Sequence, residues 1–504
     1  MQNSNLKKIK MKKLYKSLLV LVSLVVAVSC TSELDNDPIG LLTLDQVDTD
    51  PTLETMESAV ESAYYPLRNT LNSIIPGWRW DLGTVFRNDI ILQDMAANDM
   101  AKKWNPDGDQ AWMDEIGNFD FTPENQAFNG IWTYNFEGVS RSNLAIGFLT
   151  DPDIMEKTGI SQTRRDQLLS EAYFLRAFYY FDLVNNFGDV PLILKSPDSF
   201  EEAFSVSVRA AQDEVMEQIG ADLEAAASLA PQVKNDGTDP WRVSLGAIIS
   251  LQAKVALYNE NWTLVLERIA ELDNLGFYDL NANYFDAFDV TKEFNDQEVI
   301  FAYDHRSGEN PANGNGLAAV SGWGFFAPTE DFLSAFEADD PRLAYTINVN
   351  DQRSPKILGS ITDFKGNDDS PGNKIYMRYG DVLLWKAEAL NESGNPTEAV
   401  SVLNQIRERA RNTPTADAMP VPEGTLAPRP NSNDQSQVRT WIQMERRVEL
   451  GFESQRFNDL KRWGIASTVL QGLGKNYQAH NDLYPIPQAD IDKSGGSITQ
   501  NPGY

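Results

Sequence analysis

Residues 168–184 read LLSEAYFLRAFYYFDLV. Leu168, Ala172, Leu175, Tyr179 and Leu183 recur at three- and four-residue steps, which places them on one face of an α-helix. From Ala172 to Val184 the stretch is apolar nearly all round, so the helix is expected to be buried on several sides. Gly188 and then Pro191 end it. Helical periodicity also dominates further out. Ala253 to Trp262, running on to Val265 and Ile269, and Ala387 to Pro396, running on to Ala399 and Leu403, share one spacing: the step from Ala253 to Val265 equals that from Ala387 to Ala399. Each reads as helix, tight turn, helix, with small residues where the helices cross, which is tetratricopeptide-style packing. The pairs are not evenly spaced, so a pure solenoid is not expected. The expected fold is mostly all-α, with tetratricopeptide-like helix pairs in a superhelix and long irregular segments between them.

The chain has 504 residues, 42% of them hydrophobic, which suffices for a large core. Its single cysteine, Cys30, excludes an intrachain disulfide. Two histidines, His305 and His480, exclude a His-rich metal site, and no cofactor is expected. Six lysines precede Cys30, and removing them takes the formal net charge from −30 to −36. A surface this acidic repels nucleic acid and is compatible with neutral ligands such as sugars.

Those lysines lead into a short apolar run, Leu18 to Val28, with Ala27 and Ser29 just before Cys30. The arrangement resembles a bacterial lipobox. Residues 1–29 are then expected to be a signal peptide, Cys30 the site of lipidation, and 30–50 an acidic tether holding Glu33, Asp35 and Asp37. Residues 51–290 and 291–504 are read as N- and C-terminal regions of one compact unit.

Two irregular stretches are rich in tryptophan. Ile75 to Thr122 holds Trp78, Trp80, Trp104 and Trp112 among Gly, Asn, Asp and Pro, and Asp304 to Pro328 carries Trp323-Gly324-Phe325-Phe326. Tryptophan is out of place in a disordered loop, so both stretches are expected to be ordered surface features. Asn412 to Ser436 is read as a plain excursion. Trp132, Trp385, Trp441 and Trp463 lie in helical apolar patterns and read as core.

Several runs carry a family resemblance. Glu171 to Val184 followed by Phe187 to Leu192, and Arg378 to Glu392 with Leu403, Asn404, Arg407 and Arg409, are two of them. Glu445-Arg446-Arg447 through Glu449, Glu453, Arg456, Asp459 and Arg462-Trp463-Gly464 is the most distinctive, and Tyr484 to Pro487 and the ending Gln500 to Tyr504 complete the set. In order along the chain these resemble the SusD/RagB family of nutrient-binding lipoproteins. The resemblance implies glycan capture at the outer surface of a Gram-negative cell, attachment to the outer membrane by a lipid anchor, no catalysis, and a TonB-dependent barrel transporter of the SusC kind as partner. Peptide capture by the same type of lipoprotein and an extracellular glycosidase are the alternatives.

A pyranose stacks its C–H face on a flat aromatic ring while its hydroxyls take hydrogen bonds at the rim. Trp323 is the expected platform, opposite one or more of Trp78, Trp80 and Trp104, with Phe325 placed among the ligand contacts and at least one of Phe325 and Phe326 anchoring the loop. Asp81, Asp89, Asp94 and Asp99 read either as partners of sugar hydroxyls or as loop-solvating charges, with Asp89 placed among the ligand contacts. His305 reads as an exposed polar residue. Glu445 and Glu449, four residues apart, share a helix face and invite a glycosidase reading. Arg446, Arg447, Arg456 and Arg462 lie close in sequence, and a partly buried ionic network is the favoured reading.

Overall fold

The structure, a computed structural model, describes residues 51–102, 108–197, 199–232, 242–293, 296–350, 352–362 and 368–504. Cys30 and Trp104 lie outside the described residues.

Residues 168–184 form the middle of helix Gln162–Phe187. Ser161 caps its start by accepting from the Arg164 N–H, and Gly188, at φ 70°, turns the chain away at its end. The helix is enclosed on three sides by Gln126–Thr150, Gln212–Leu229 and Leu53–Tyr64. Leu175, Tyr179, Tyr180 and Leu183 are fully buried as a result. Close approach requires small residues. A Cβ on Gly138, in helix Gln126–Thr150, would lie 2.3 Å from the Tyr179 ring. Gly138→Ala is therefore expected to cost about 1–3 kcal/mol through overpacking, read as a lower thermal midpoint.

The two sequence pairs are antiparallel helix pairs, as expected. Leu245–Tyr258 packs on Trp262–Leu275, and Tyr379–Glu392 packs on Pro396–Asn412. Asn261 caps the second helix of the first pair, and Pro396 opens that of the other. The two pairs meet through Trp262–Leu275 and Tyr379–Glu392, with Trp385 fully buried. One hydrophobic cluster runs from Met56 to Ile498.

Strands are short and serve as ties. Val299–Tyr303 pairs antiparallel with Lys374–Arg378, and Val190–Pro191 with Arg209–Ala210. Met100–Ala101 pairs with Ala327–Pro328 and so joins the two tryptophan-bearing stretches.

Both stretches are more regular than expected. The first contains a π-helical turn, Ile91–Met95, and the helix Trp112–Asn118, in which Trp112 is buried. The second contains helix Leu317–Gly322, so Trp323 caps a helix rather than riding a loop. His305 is a correction: it is 1% exposed. Its Nε2 accepts from the Asn69 N–H at 3.3 Å, which leaves the proton on Nδ1 to be donated to the Asn313 carbonyl at 2.9 Å. Burial pushes this imidazole down to about 3, so it stays neutral.

The Glu445–Glu449 pair is structural, as read, but its partners are others. Glu445 accepts from Arg342 at 2.7 Å and from Arg407 at 2.9 Å. Glu449 accepts from Arg378 at 2.8 Å, from Arg342 at 3.0 Å and from Arg409. Arg446 instead holds Asp381 and Asp459, Arg447 holds Asp99 and Asp331, and Arg462 holds Glu388 and Asp459. Consecutive helical residues point some 100° apart, so Arg446 and Arg447 cannot fold back onto Glu445.

Candidate aromatic ligand site

The site is built from two backbone devices. In the first, Gly77 at φ 100° and Trp78 at φ 57° reverse the chain, and the Trp78 N–H donates to Asn72 Oδ1 at 2.7 Å. The Trp80 N–H then donates to the Trp78 carbonyl at 2.8 Å around Arg79. This is a three-residue turn that holds the two indole-bearing residues together. A 3-10 turn, Trp80–Leu82, closes on left-handed Gly83. Only glycine fits there: a Cβ would fall 1.9 Å from the Gln126 carbonyl oxygen. Asn129 and Asn88 donate to the Leu82 and Gly83 carbonyls at 2.6 and 2.9 Å, fixing the turn to helix Gln126–Thr150.

The second device is the end of helix Leu317–Gly322. The Trp323 N–H donates to the Ala319 carbonyl at 2.8 Å, and Gly324 at φ 89° ends the turn. Phe325 and Phe326 then drop into the core at 2% and 0% exposure. Both anchor the segment, and burial of Phe325 corrects its placement among the ligand contacts, since a ring this enclosed packs beneath the tryptophans instead of meeting a ligand.

The two devices bring the predicted rings together. Trp323 lies 6.0 Å from Trp78 and 6.3 Å from Trp80, centroid to centroid, with interplanar angles of 49° and 59°. Phe325 sits beneath, 6.1 Å from Trp80 and 6.5 Å from Trp323. Trp80 also meets Phe86 edge-on at 6.1 Å. Trp78 and Trp323 remain 49% and 39% exposed, while Trp80 is half-buried. The arrangement is two wet indoles tilted about a half-buried third on a buried phenylalanine floor. It offers apolar faces at an angle, and the exposed ion pair Arg79–Asp81 flanks Trp80 in sequence.

Asp89 does not join this cluster. It is 8% exposed, 3.2 Å from Lys374 and 3.8 Å from Arg87, and lines a separate pocket with Asp182, Lys254 and Tyr258. Asp94 and Asp99 are also corrections to the loop reading, since both are fully buried. Burial, with the neighbouring Asp99 carboxylate second, raises Asp94 well above the usual carboxylate range. Only Asp81 is exposed, and it is paired bidentately with Arg79 at 2.7 and 2.9 Å. The identity of the buried ionic partners escaped the sequence reading. Arg342, Arg378, Arg407 and Arg409 each interrupt or flank an apolar helical or strand pattern, and that was the available signal.

The fold is mostly helical, built on tetratricopeptide-like helix pairs, and carries an exposed aromatic cluster. Residues 361–504 match the SusD family model, and residues 69–257 match the model described as starch-binding associating with outer membrane. SusD-like protein P2 of Formosa agariphila is 26% identical over 537 residues, spanning 96% of this chain and 98% of that one. Surface glycan-binding protein A of Bacteroides fluxus superposes with a TM-score of 0.71 at 24% identity, over 90% of this chain and all of that one. Surface glycan-binding protein A of Bacteroides thetaiotaomicron, in complex with laminarihexaose, gives 0.69 at 21% identity, over 89% and 99%. The chain belongs to the SusD/RagB family.

Proposed function

We propose that this protein is a cell-surface glycan-binding lipoprotein that captures oligo- or polysaccharide on Trp78, Trp80 and Trp323 and passes it to a TonB-dependent outer-membrane transporter. The observation that carries this reading is the convergence of three tryptophans from two distant stretches, two of them substantially wet. A fold spends exposed tryptophan where a flat apolar partner is to be held. The glycan-binding relatives of the same fold support it. This reading assigns no catalytic step to Glu445 and Glu449, the carboxylate pair that invites a glycosidase reading: both are buried and bound to four arginines.

The test is calorimetry of the intact protein against a panel of neutral oligosaccharides and a peptide library, with reducing ends monitored. Saturable oligosaccharide binding without new reducing ends is expected. Peptide binding alone, or steady release of reducing ends, would overturn the reading.

In this reading attachment is through Cys30, which follows the apolar run Leu18 to Val28 with Ala27 and Ser29 just before it. Cys30→Ala is expected to leave the protein unprocessed or soluble on membrane fractionation, because no other residue of the chain offers a thiol. Normal lipid labelling of that variant would refute the anchor.

A further inference from the structure

We infer that the Arg79–Asp81 pair makes this site selective for neutral over anionic glycans, with Asp81 as the specificity-determining residue. The inference rests on the aromatic site being the glycan site. Arg79 and Asp81 bracket Trp80 in sequence, and their side chains are 44% and 64% exposed, so both are open to solvent on either side of that residue. Arg79 sits at the tip of the three-residue turn that holds Trp78 and Trp80 together. A lone guanidinium at that place would recruit uronate or sulfate esters, because it matches carboxylate and sulfate oxygens two at a time. Here that fork is already filled. Arg79 Nε donates to Asp81 Oδ1 at 2.9 Å and Nη2 to Asp81 Oδ2 at 2.7 Å. The pairing holds the Asp81 carboxyl below its usual range, so it is ionised at neutral pH.

A second cation beside the rings is cancelled in the same way. The Lys102 ammonium lies 5.9 Å over the Phe325 ring, and Asp114 holds it at 3.0 Å. Neither of these two described cations at the cluster presents unbalanced charge. A polyanion therefore meets charge-balanced pairs on a strongly acidic chain, whereas a neutral sugar finds guanidinium and carboxylate edges for its hydroxyls.

The test compares the full-length protein with Asp81→Asn, Asp81→Asn/Arg79→Gln and Trp323→Ala. Affinity electrophoresis is run through gels containing a neutral β-glucan or a polyuronate, at low and high salt. Asp81→Asn keeps the backbone turn and frees Arg79. It is expected to gain about two- to fivefold in polyuronate affinity, as an exposed ion pair gives, and to lose that gain in high salt. Removing Arg79 as well is expected to abolish the gain. Unchanged polyuronate retardation of Asp81→Asn, or wild-type retardation equal in both gels, overturns the selectivity. Trp323→Ala separates the two claims. If it binds the neutral glucan as wild type does, the aromatic site itself is wrong. If it loses the glucan while Asp81→Asn shows no gain, only the selectivity fails.

Discussion

Glu449→Gln is expected to destabilise the protein by about 3–5 kcal/mol, the cost of removing one partner from a buried ionic cluster. The glutamate is fully buried and accepts from Arg342, Arg378 and Arg409. Glu298 completes the square, accepting from Arg378 at 2.7 Å and Arg409 at 2.8 Å. A neutral amide keeps the shape, but it leaves guanidinium groups facing a donor where they had an acceptor. Those arginines come from helix Pro396–Asn412, the end of strand Lys374–Arg378 and the Arg342–Thr346 helix, so the cluster ties the C-terminal elements together. At about 2.1 cal/mol/K of unfolding entropy per residue, the loss corresponds to a thermal midpoint lower by about 3–5 °C for a chain this long. A midpoint within 1 °C of wild type, by the same entropy scale, would show that the charge contributes little.

The cluster also gives the protein its acid limit. Burial alone would raise the Glu449 carboxyl, but Arg409, Arg378 and Arg342 outweigh it and hold the group well below the usual carboxylate range. Burial likewise opposes, and Arg378 and Lys356 outweigh it, at Glu453. A carboxyl depressed on folding stabilises fully above its unfolded value of about 4.3 and loses that contribution as the pH falls further. Wild type should therefore unfold progressively below about pH 4, with a shallower slope in Glu449→Gln.

Much of this was legible because it is local. The alternation of apolar residues from Leu168 to Leu183, and the helix–turn–helix spacing after Ala253 and Ala387, depend on neighbours three to four residues away. The tryptophans stood out because Trp78, Trp80 and Trp323 lie among glycine and asparagine, where a core residue has no reason to be. What was not legible is set by distant partners. Asp89 is drawn inward by Lys374, and Asp99 by Arg447. His305 is enclosed by Asn69 and Asn313. Burial of a charged or polar side chain depends on who arrives to pair with it, and these partners come from up to 348 residues away. The ionic misassignment differs in kind. Arg446 lies next to Glu445 in sequence and points elsewhere on the helix, which helical geometry alone settles.

Trp323→Ala is expected to weaken oligosaccharide binding well over tenfold, by about 2 kcal/mol or more, with folding intact. Stacking contributes on the order of 1 kcal/mol beyond buried area, and an indole supplies the largest flat area of any side chain. Trp323 is 39% exposed and sits at a helix end whose hold on the core is provided by Phe325 and Phe326, so its removal leaves the anchor in place. Trp78→Ala, at 49% exposure, should behave alike. The two rings are 6.0 Å apart and tilted by 49°, so they face one ligand together, and their losses should not add. Trp80 is the contrasting case. Half-buried against Phe86 and Phe325, it supports the wet pair from below, and Trp80→Ala should lower both affinity and thermal midpoint. Calorimetric titration of wild type, the three single variants and the Trp78/Trp323 double variant, with melting curves for each, reads this pattern directly. Equal affinities for wild type and Trp323→Ala at equal stability would remove the ring from the site. A loss of affinity that tracked loss of stability in all three variants would reduce the cluster to a packing motif.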